Sequence, residues 1–179
     1  MLAKLELSDL LRKRRMCREF DPVPVEHEKL EELVKAGNRA PQGGNMPVRE
    51  FIIVDDPSYV KLVRGITPSF IANAPAVIVI VTDLSKALEV MGIQGKDVLS
   101  LLDAGAVAEN IALRAIELDL GVSFVRSATT SALIHVLKIP DRYRVDLLIG
   151  VGYASKEGLS EPAKGQPPII HRNTYGGSA

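Results

Sequence analysis

The sequence predicts one layered domain of the α/β or α+β class, in which strands and helices are interleaved. Apolar, β-branched runs typical of buried strands alternate along the chain with segments of helical periodicity, which disfavours a sandwich or a helical bundle. The 179 residues suit a single domain, since domains average about 150 residues. We therefore expect one domain over 1–179, with about 154–179 as an extended C-terminal tail rich in proline and glycine.

The first half of the chain is predicted to contain helices, a loop and two strands. An apolar face opposite charged residues predicts a helix over 25–38. Two prolines and paired glycines predict a loop over 40–47, and the continuous apolar run over 76–82 predicts a strand buried on both faces. The predicted elements are, in order, a helix start at Ser8-Asp9, a helix over 25–38, a loop over 40–47, a strand over 50–55, a short helix over 57–64 and a strand over 76–82.

The second half is predicted to be built around one long helix. Small residues recur at helical spacing within 98–118, which permits close packing, and Gly121 is expected to end this helix. The segment 84–96 remains ambiguous, because Gly92 and Gly95 suggest an irregular or mobile piece. A strand over 122–125, a helix over 130–137 and a last strand over 146–152 are expected to follow.

Charge and cysteine content exclude several classes of function. The 22 basic and 22 acidic residues cancel, so the chain has no global attraction for nucleic acid or for an anionic membrane. The single cysteine, Cys17, excludes an internal disulfide and a cysteine-based metal centre, and the three histidines lack ligand spacing. Redox chemistry would therefore need an organic cofactor. No apolar run is long enough for a membrane span or a signal core, so we expect a cytoplasmic protein.

A basic cluster over 12–18 is the first candidate site. On a helix, Arg14 and Arg18 would share a face with Arg15 beside them, and three guanidiniums can grip a phosphate. Two alternatives remain open, a solvated helix end and a local nucleic-acid patch. The neighbouring arginines could also lower the pKa of the Cys17 thiol, although a packing role is the simpler interpretation.

The loop over 40–47 is the second candidate site. Gly43 and Gly44 would let the backbone approach a flat ligand closely. The amide of Asn45 can donate and accept hydrogen bonds, as the edge of a pyrimidine-like ring requires. A plain connection between a helix and a strand is the alternative.

Four segments taken together resemble the nitroreductase family of flavin enzymes. They are Arg14–Phe20, similar to the family's R-R-S-x-R-x-F; Ala40–Asn45, similar to its A-P-S-x-x-N loop; Asp103–Gly121, similar to its central helix; and Ile149–Tyr153 with Ile170–Gly176, similar to its last strand and tail. Each motif is short, but their order and spacing cover nearly the whole chain. The resemblance implies an α+β layered fold with a central mixed, mainly antiparallel sheet flanked by helices. It also implies a homodimer that exchanges C-terminal tails and holds FMN at the subunit interface.

The resemblance also assigns roles to individual positions. The arginines and, less directly, Lys164 would hold the FMN phosphate, the loop would line the ring, and backbone groups at Arg126 and Ser127 would lie near the flavin N5. The matching positions are Arg14, Arg15, Met16 (where the family has serine), Arg18, Pro41, Gln42, Gly43, Asn45, Arg126, Ser127 and Lys164.

The implied activity is FMN-dependent oxidoreduction in which no protein side chain is required as acid or base. NADH or NADPH would deliver a hydride to flavin N5, and an electron-poor small molecule such as a nitroaromatic or a quinone would then take it up from the same pocket. Two alternatives remain open, a flavin-binding module without turnover and a specialised flavin reaction such as dehalogenation or dehydrogenation. No nucleic acid or membrane partner is expected.

Overall fold

A four-stranded antiparallel β-sheet forms the centre of the chain. The computed structural model describes residues 6–67, 71, 73–161 and 167–176. Its strands pair in the order β1-β2-β4-β3. Their bounds are β1 Arg49–Val54, β2 Ala76–Asp83, β3 Gly121–Val125 and β4 Tyr143–Gly152.

Helices cover both faces of this sheet, as the α+β class predicts. The longest, α5, spans Ser100–Glu117 and follows a π-helical turn, Gly95–Leu99. The other helices are α1 Leu7–Lys13, α2 His27–Asn38, α3 Pro57–Gly65, α4 Leu84–Gln94 and α6 Thr130–Leu137, with a 3₁₀ turn at Gly43–Asn45. None of the described helices combines the length and apolar character needed to cross a bilayer.

Strand β2 explains how an antiparallel sheet can contain a continuous apolar run. Its side chains alternate between the two faces, and a separate core lies on each face. Ile78 and Ile80 pack with residues of α2 and α5, whereas Val77 and Val79 pack with residues of α3 and α6. Seven of the eight β2 residues are buried. The prediction of a central strand buried on both faces is therefore confirmed.

Two details differ from the sequence prediction, and the segment left ambiguous has the irregularity that its glycines suggested. The long helix is ended by Asp119, which adopts a positive φ of 56°, and Gly121 instead begins β3. The ambiguous segment after β2 is helical as α4 but is interrupted at Gly92, whose φ is 65°. Helix α1 ends at Lys13, so the arginines that follow are not on a helix.

An extended segment over 14–20 continues from α1 and lies along the β3 edge of the sheet. Met16 forms a parallel bridge with Val122, and Cys17 forms an antiparallel bridge with Leu159 from the start of the C-terminal tail. The four main strands are antiparallel, so this bridge supplies the mixed character predicted for the sheet. The basic segment thus lies between β3 and the tail.

Candidate flavin site

Helix α5 contacts both halves of the predicted site. Near its N-terminus, Asp103 Oδ2 accepts a hydrogen bond from the Gly43 N–H at 2.7 Å. Six residues later, Glu109 Oε2 accepts one from Arg14 Nε at 3.2 Å. At 1.5 Å per residue, these two carboxylates are about 9 Å apart along the axis. The helix therefore contacts both segments, but on different sides, because six residues correspond to about one and two-thirds turns.

The backbone of the basic segment is held from both sides. On one side the Cys17 N–H donates to Val122 O at 2.8 Å. On the other, the Ser160 N–H donates to Met16 O at 2.8 Å and the Arg18 N–H donates to Gly158 O at 2.6 Å. The arginine side chains therefore project from a fixed backbone, which suits recognition of a bulky anion.

The extended conformation separates arginines that the helical interpretation had placed together. Side chains alternate along extended backbone, so Arg15 does not share a side with Arg14. The Arg14 guanidinium lies 5.0 Å above the centre of the Phe124 ring. Arg15 instead lines a groove of about 370 Å³ with Lys13 and apolar residues of α5, β3 and the tail. Predicting a helix for 14–18 was wrong, although Arg14 and Arg18, four residues apart, remain on one side in either geometry.

Cys17 is a core residue. Its side chain is fully buried, and its Sγ donates to Glu19 O at 3.0 Å. Burial raises the pKa of the Cys17 thiol. The packing role that the sequence favoured is therefore confirmed, and the alternative of a lowered pKa is wrong. A Cβ at Gly121 would lie 2.8 Å from Cys17 Cβ, so glycine at that position allows this close packing.

The glycine loop closes into a single 3₁₀ turn. The Asn45 N–H donates to Gln42 O at 3.0 Å, and Gly44 and Asn45 have φ values of 62° and 51°, a region open to glycine and tolerated by asparagine. A Cβ at Gly43 would lie 2.5 Å from Met91 Sδ of α4, so a larger residue here would require the Met91 side chain to move. Pro41 and Asn45 are exposed on the loop surface.

Gln42 carries a polar atom that the surrounding protein does not satisfy. Its Oε1 is buried, and among the described residues none donates a hydrogen bond to it. Buried oxygens are nearly always paired in folded proteins. A donor supplied by a ligand against this loop would satisfy the atom.

Arg49 is a residue of the site region that sequence reasoning missed. It is buried at the start of β1, and its guanidinium donates to the carbonyl oxygens of Ala40 and Pro41 at 2.7 and 3.0 Å. Burial lowers the pKa of the Arg49 guanidinium, and the Asp103 carboxylate acts in the opposite direction. An arginine beside a strand ordinarily indicates an exposed position, so the sequence contained no signal for this role.

Arg126 and Ser127 directly follow β3 and are exposed. They lie at the same end of the sheet as the glycine loop, but β3 and β1 are opposite edges of the sheet. Three strand spacings of about 4.8 Å separate these edges. One protomer therefore does not bring these two residues together with its own loop. Lys164 lies outside the described residues.

Comparison with known proteins gives a consistent result. The sequence model of the nitroreductase family matches residues 11–63 and 58–153. An Archaeoglobus fulgidus protein named as an NADH dehydrogenase/NAD(P)H nitroreductase is 29% identical over 172 residues, which cover 90% of this chain and 94% of that protein. The sequence is thus similar, over most of its length, to a family of redox proteins.

Solved structures agree with the sequence match. A nitroreductase family protein of Clostridium difficile is 26% identical, with a TM-score of 0.77 over 87% of this chain and 88% of the other. An FMN-dependent nitroreductase from another strain of that species is 28% identical, with a TM-score of 0.76 over 94% of this chain and 99% of the other. The chain belongs to the nitroreductase family.

Proposed function

We propose that this chain is an FMN-dependent NAD(P)H oxidoreductase that acts as a homodimer on an electron-poor small molecule such as a nitroaromatic or a quinone. The observation that carries the proposal is the placement of the basic segment beside β3, the strand that Arg126 and Ser127 follow, and of the glycine loop at the opposite edge of the sheet. FMN at a dimer interface would therefore meet the basic segment of one protomer and the glycine loop of the other. FMN needs cations around its phosphate and a closely approachable backbone around its ring system. The basic segment supplies the cations, and the glycine loop supplies the backbone.

The residues present fit FMN. Arg14 and Arg18 supply the charge-assisted donors that a phosphate takes. The buried, unpaired Oε1 of Gln42 can accept from a ring N–H, and the exposed amide of Asn45 can both donate and accept. FMN supplies the hydride acceptor and donor of the reaction when it is bound. The chain's own residues bind, orient and shield it.

The individual residues divide this work. Arg14 and Arg18 hold the phosphate, with Arg15 and Lys164 as further candidates near the same anion. Pro41, Gln42, Gly43 and Asn45 line the ring. Met16, standing where a hydroxyl would be expected, offers its backbone carbonyl to Ser160 and so holds the segment in place. Backbone N–H groups near Arg126 and Ser127 would stabilise the charge that develops on the flavin when it is reduced.

A homodimer accounts for features that one protomer leaves incomplete. Seven large apolar side chains between residues 88 and 102 are at least 36% exposed, a density that ordinary monomer surfaces avoid. Ile169 and Ile170 of the C-terminal tail are also exposed, which suits a tail that packs on a partner. A second copy packed against this face would bring its own loop towards Arg126 and Ser127, which one chain keeps at opposite edges of the sheet.

Flavin titration tests this proposal. Protein stripped of cofactor should quench the fluorescence of added FMN with a stoichiometry of one FMN per protomer. Riboflavin, which lacks the phosphate, should bind at least tenfold more weakly, because it cannot engage the arginines. Absence of FMN binding by a folded dimer would refute the proposal.

A further inference from the structure

Arg49 makes an unusual set of contacts for a buried arginine. Its side chain enters from the first residue of β1, and the residue is only 7% exposed. The two terminal nitrogens donate to three backbone carbonyls, those of Asn38, Ala40 and Pro41, at 3.3, 2.7 and 3.0 Å. Among the described residues, no carboxylate accepts a hydrogen bond from it, and its buried Nε has no partner. The guanidinium therefore holds backbone, not an ion pair.

Such an arrangement is costly for folding alone. A charge moved out of water loses solvation that carbonyl dipoles only partly restore. An apolar side chain of similar volume would fill the same space without this cost. A retained buried cation thus indicates that the conformation it imposes on residues 38–41 has a use.

The conformation determines where the next peptide groups point. A trans peptide places its C=O and N–H on opposite sides, and all described peptide bonds are trans. Because the Pro41 carbonyl points at Arg49, the Gln42 N–H points away from the guanidinium. No described residue accepts a hydrogen bond from this N–H. The following N–H, that of Gly43, is taken by Asp103 Oδ2 at 2.7 Å.

We propose that Arg49 and Asp103 are positioning residues that brace the glycine loop from two sides, so that the Gln42 N–H and the Gln42 side chain are presented to the flavin ring. Arg49 donates hydrogen bonds to the backbone carbonyls of residues 38, 40 and 41. Asp103, on α5, accepts a hydrogen bond from the Gly43 N–H. This inference rests on the proposed function for the identity of the ligand. The brace itself is a property of the chain without ligand.

The test combines loop protection in the flavin-free protein with flavin affinity. In Arg49→Met, hydrogen exchange of the Gly43, Asn45 and Met46 amides should accelerate at least tenfold, and the FMN dissociation constant should rise at least tenfold. Arg49→Lys should restore little of the amide protection or of the FMN affinity, because one ammonium cannot span three carbonyls. Arg114→Met is the matched control, since Arg114 lies on α5 and its partners among the described residues are Glu32 and Glu117. It should leave both quantities at the wild-type value.

Asp103→Asn carries the test if Arg49→Met does not fold, because Asp103 is only partly buried. It should accelerate exchange of the Gly43 amide and weaken FMN binding in the same direction. Loop amides that exchange as slowly in the variants as in the wild type would overturn the proposed brace. Faster exchange with an unchanged FMN dissociation constant would overturn its role in flavin binding. A wild-type protein that binds no FMN would refute the proposed function instead, and exchange in the flavin-free variants would still decide whether the brace exists.

Discussion

Arg14 and Arg18 are the residues on which the proposed phosphate contact depends. Replacing either with alanine removes a charge-assisted hydrogen bond worth about 1.5–3 kcal/mol. We expect the FMN dissociation constant to rise about tenfold to a hundredfold for each, measured by fluorescence titration. Arg64→Ala, an exposed arginine on α3, should leave it unchanged. Equal FMN affinity in all three variants would place the phosphate elsewhere.

His27 gives the fold a pH dependence that can be measured at one residue. Its Nδ1 lies 2.7 Å from Asp55 Oδ2, and this hydrogen bond raises the pKa of His27 above its usual 6.5, with Glu31 and Glu28 acting in the same direction. The stabilisation by the charged ring is therefore present below pH 6.5 and is lost as pH rises through the raised value. The wild type should exceed His27→Ala in stability at pH 6 by more than at pH 9, in urea unfolding curves. A difference that grows with pH would contradict this.

Strand β4 ties the sheet to the start of α5 through a buried polar network. The Asp146 carboxylate is fully buried and accepts from Arg144 Nε at 2.5 Å and from the Thr82 hydroxyl. Arg144 also donates to Lys96 O and Ser100 Oγ at 2.8 and 2.7 Å. Arg144→Ala leaves a buried charge unpaired, so we expect the free energy of unfolding to fall by about 3–5 kcal/mol. Denaturant unfolding measures this fall.

The control for this prediction lies two residues away. Arg142 pairs with Asp83 on the surface, with more than half of its side chain exposed. Arg142→Ala should leave unfolding close to wild type, because exposed ion pairs are screened by water. A fall in the free energy of unfolding as large as that of Arg144→Ala would show that burial of the ion pair does not decide its contribution to stability.

Elements with strong local patterns were predictable, and those shaped by tertiary contacts were not. The run that forms β2 and the helix over 130–137 were anticipated because apolar periodicity and side-chain branching are local signals. The residues after Lys13 read as helical but pair with β3, since a long-range bridge overrides their propensity. The α5 stop was assigned to Gly121, whereas Asp119 adopts the left-handed conformation itself. The candidate loop was found from its glycines, but the role of Arg49 depends on contacts that no sequence spacing reveals.

The whole molecule is expected to function as a dimer through the apolar surface between residues 88 and 102. Leu102, on α5, is 64% exposed at this surface. Leu102→Asp should shift sedimentation equilibrium towards monomer and weaken FMN binding together, because a charge in an apolar interface is left unsolvated. Leu62→Asp is the matched control, because Leu62 is 53% exposed on α3. Dimers of equal stability in both variants would place the interface elsewhere.

Whether this chain is a reducible flavoprotein is decided by the visible spectrum of the purified protein, recorded anaerobically before and after addition of NADH or NADPH. We expect a yellow protein whose flavin absorbance bleaches with one or both nucleotides and returns when a quinone or nitroaromatic is added. A folded, colourless protein that takes up no added FMN would contradict this expectation.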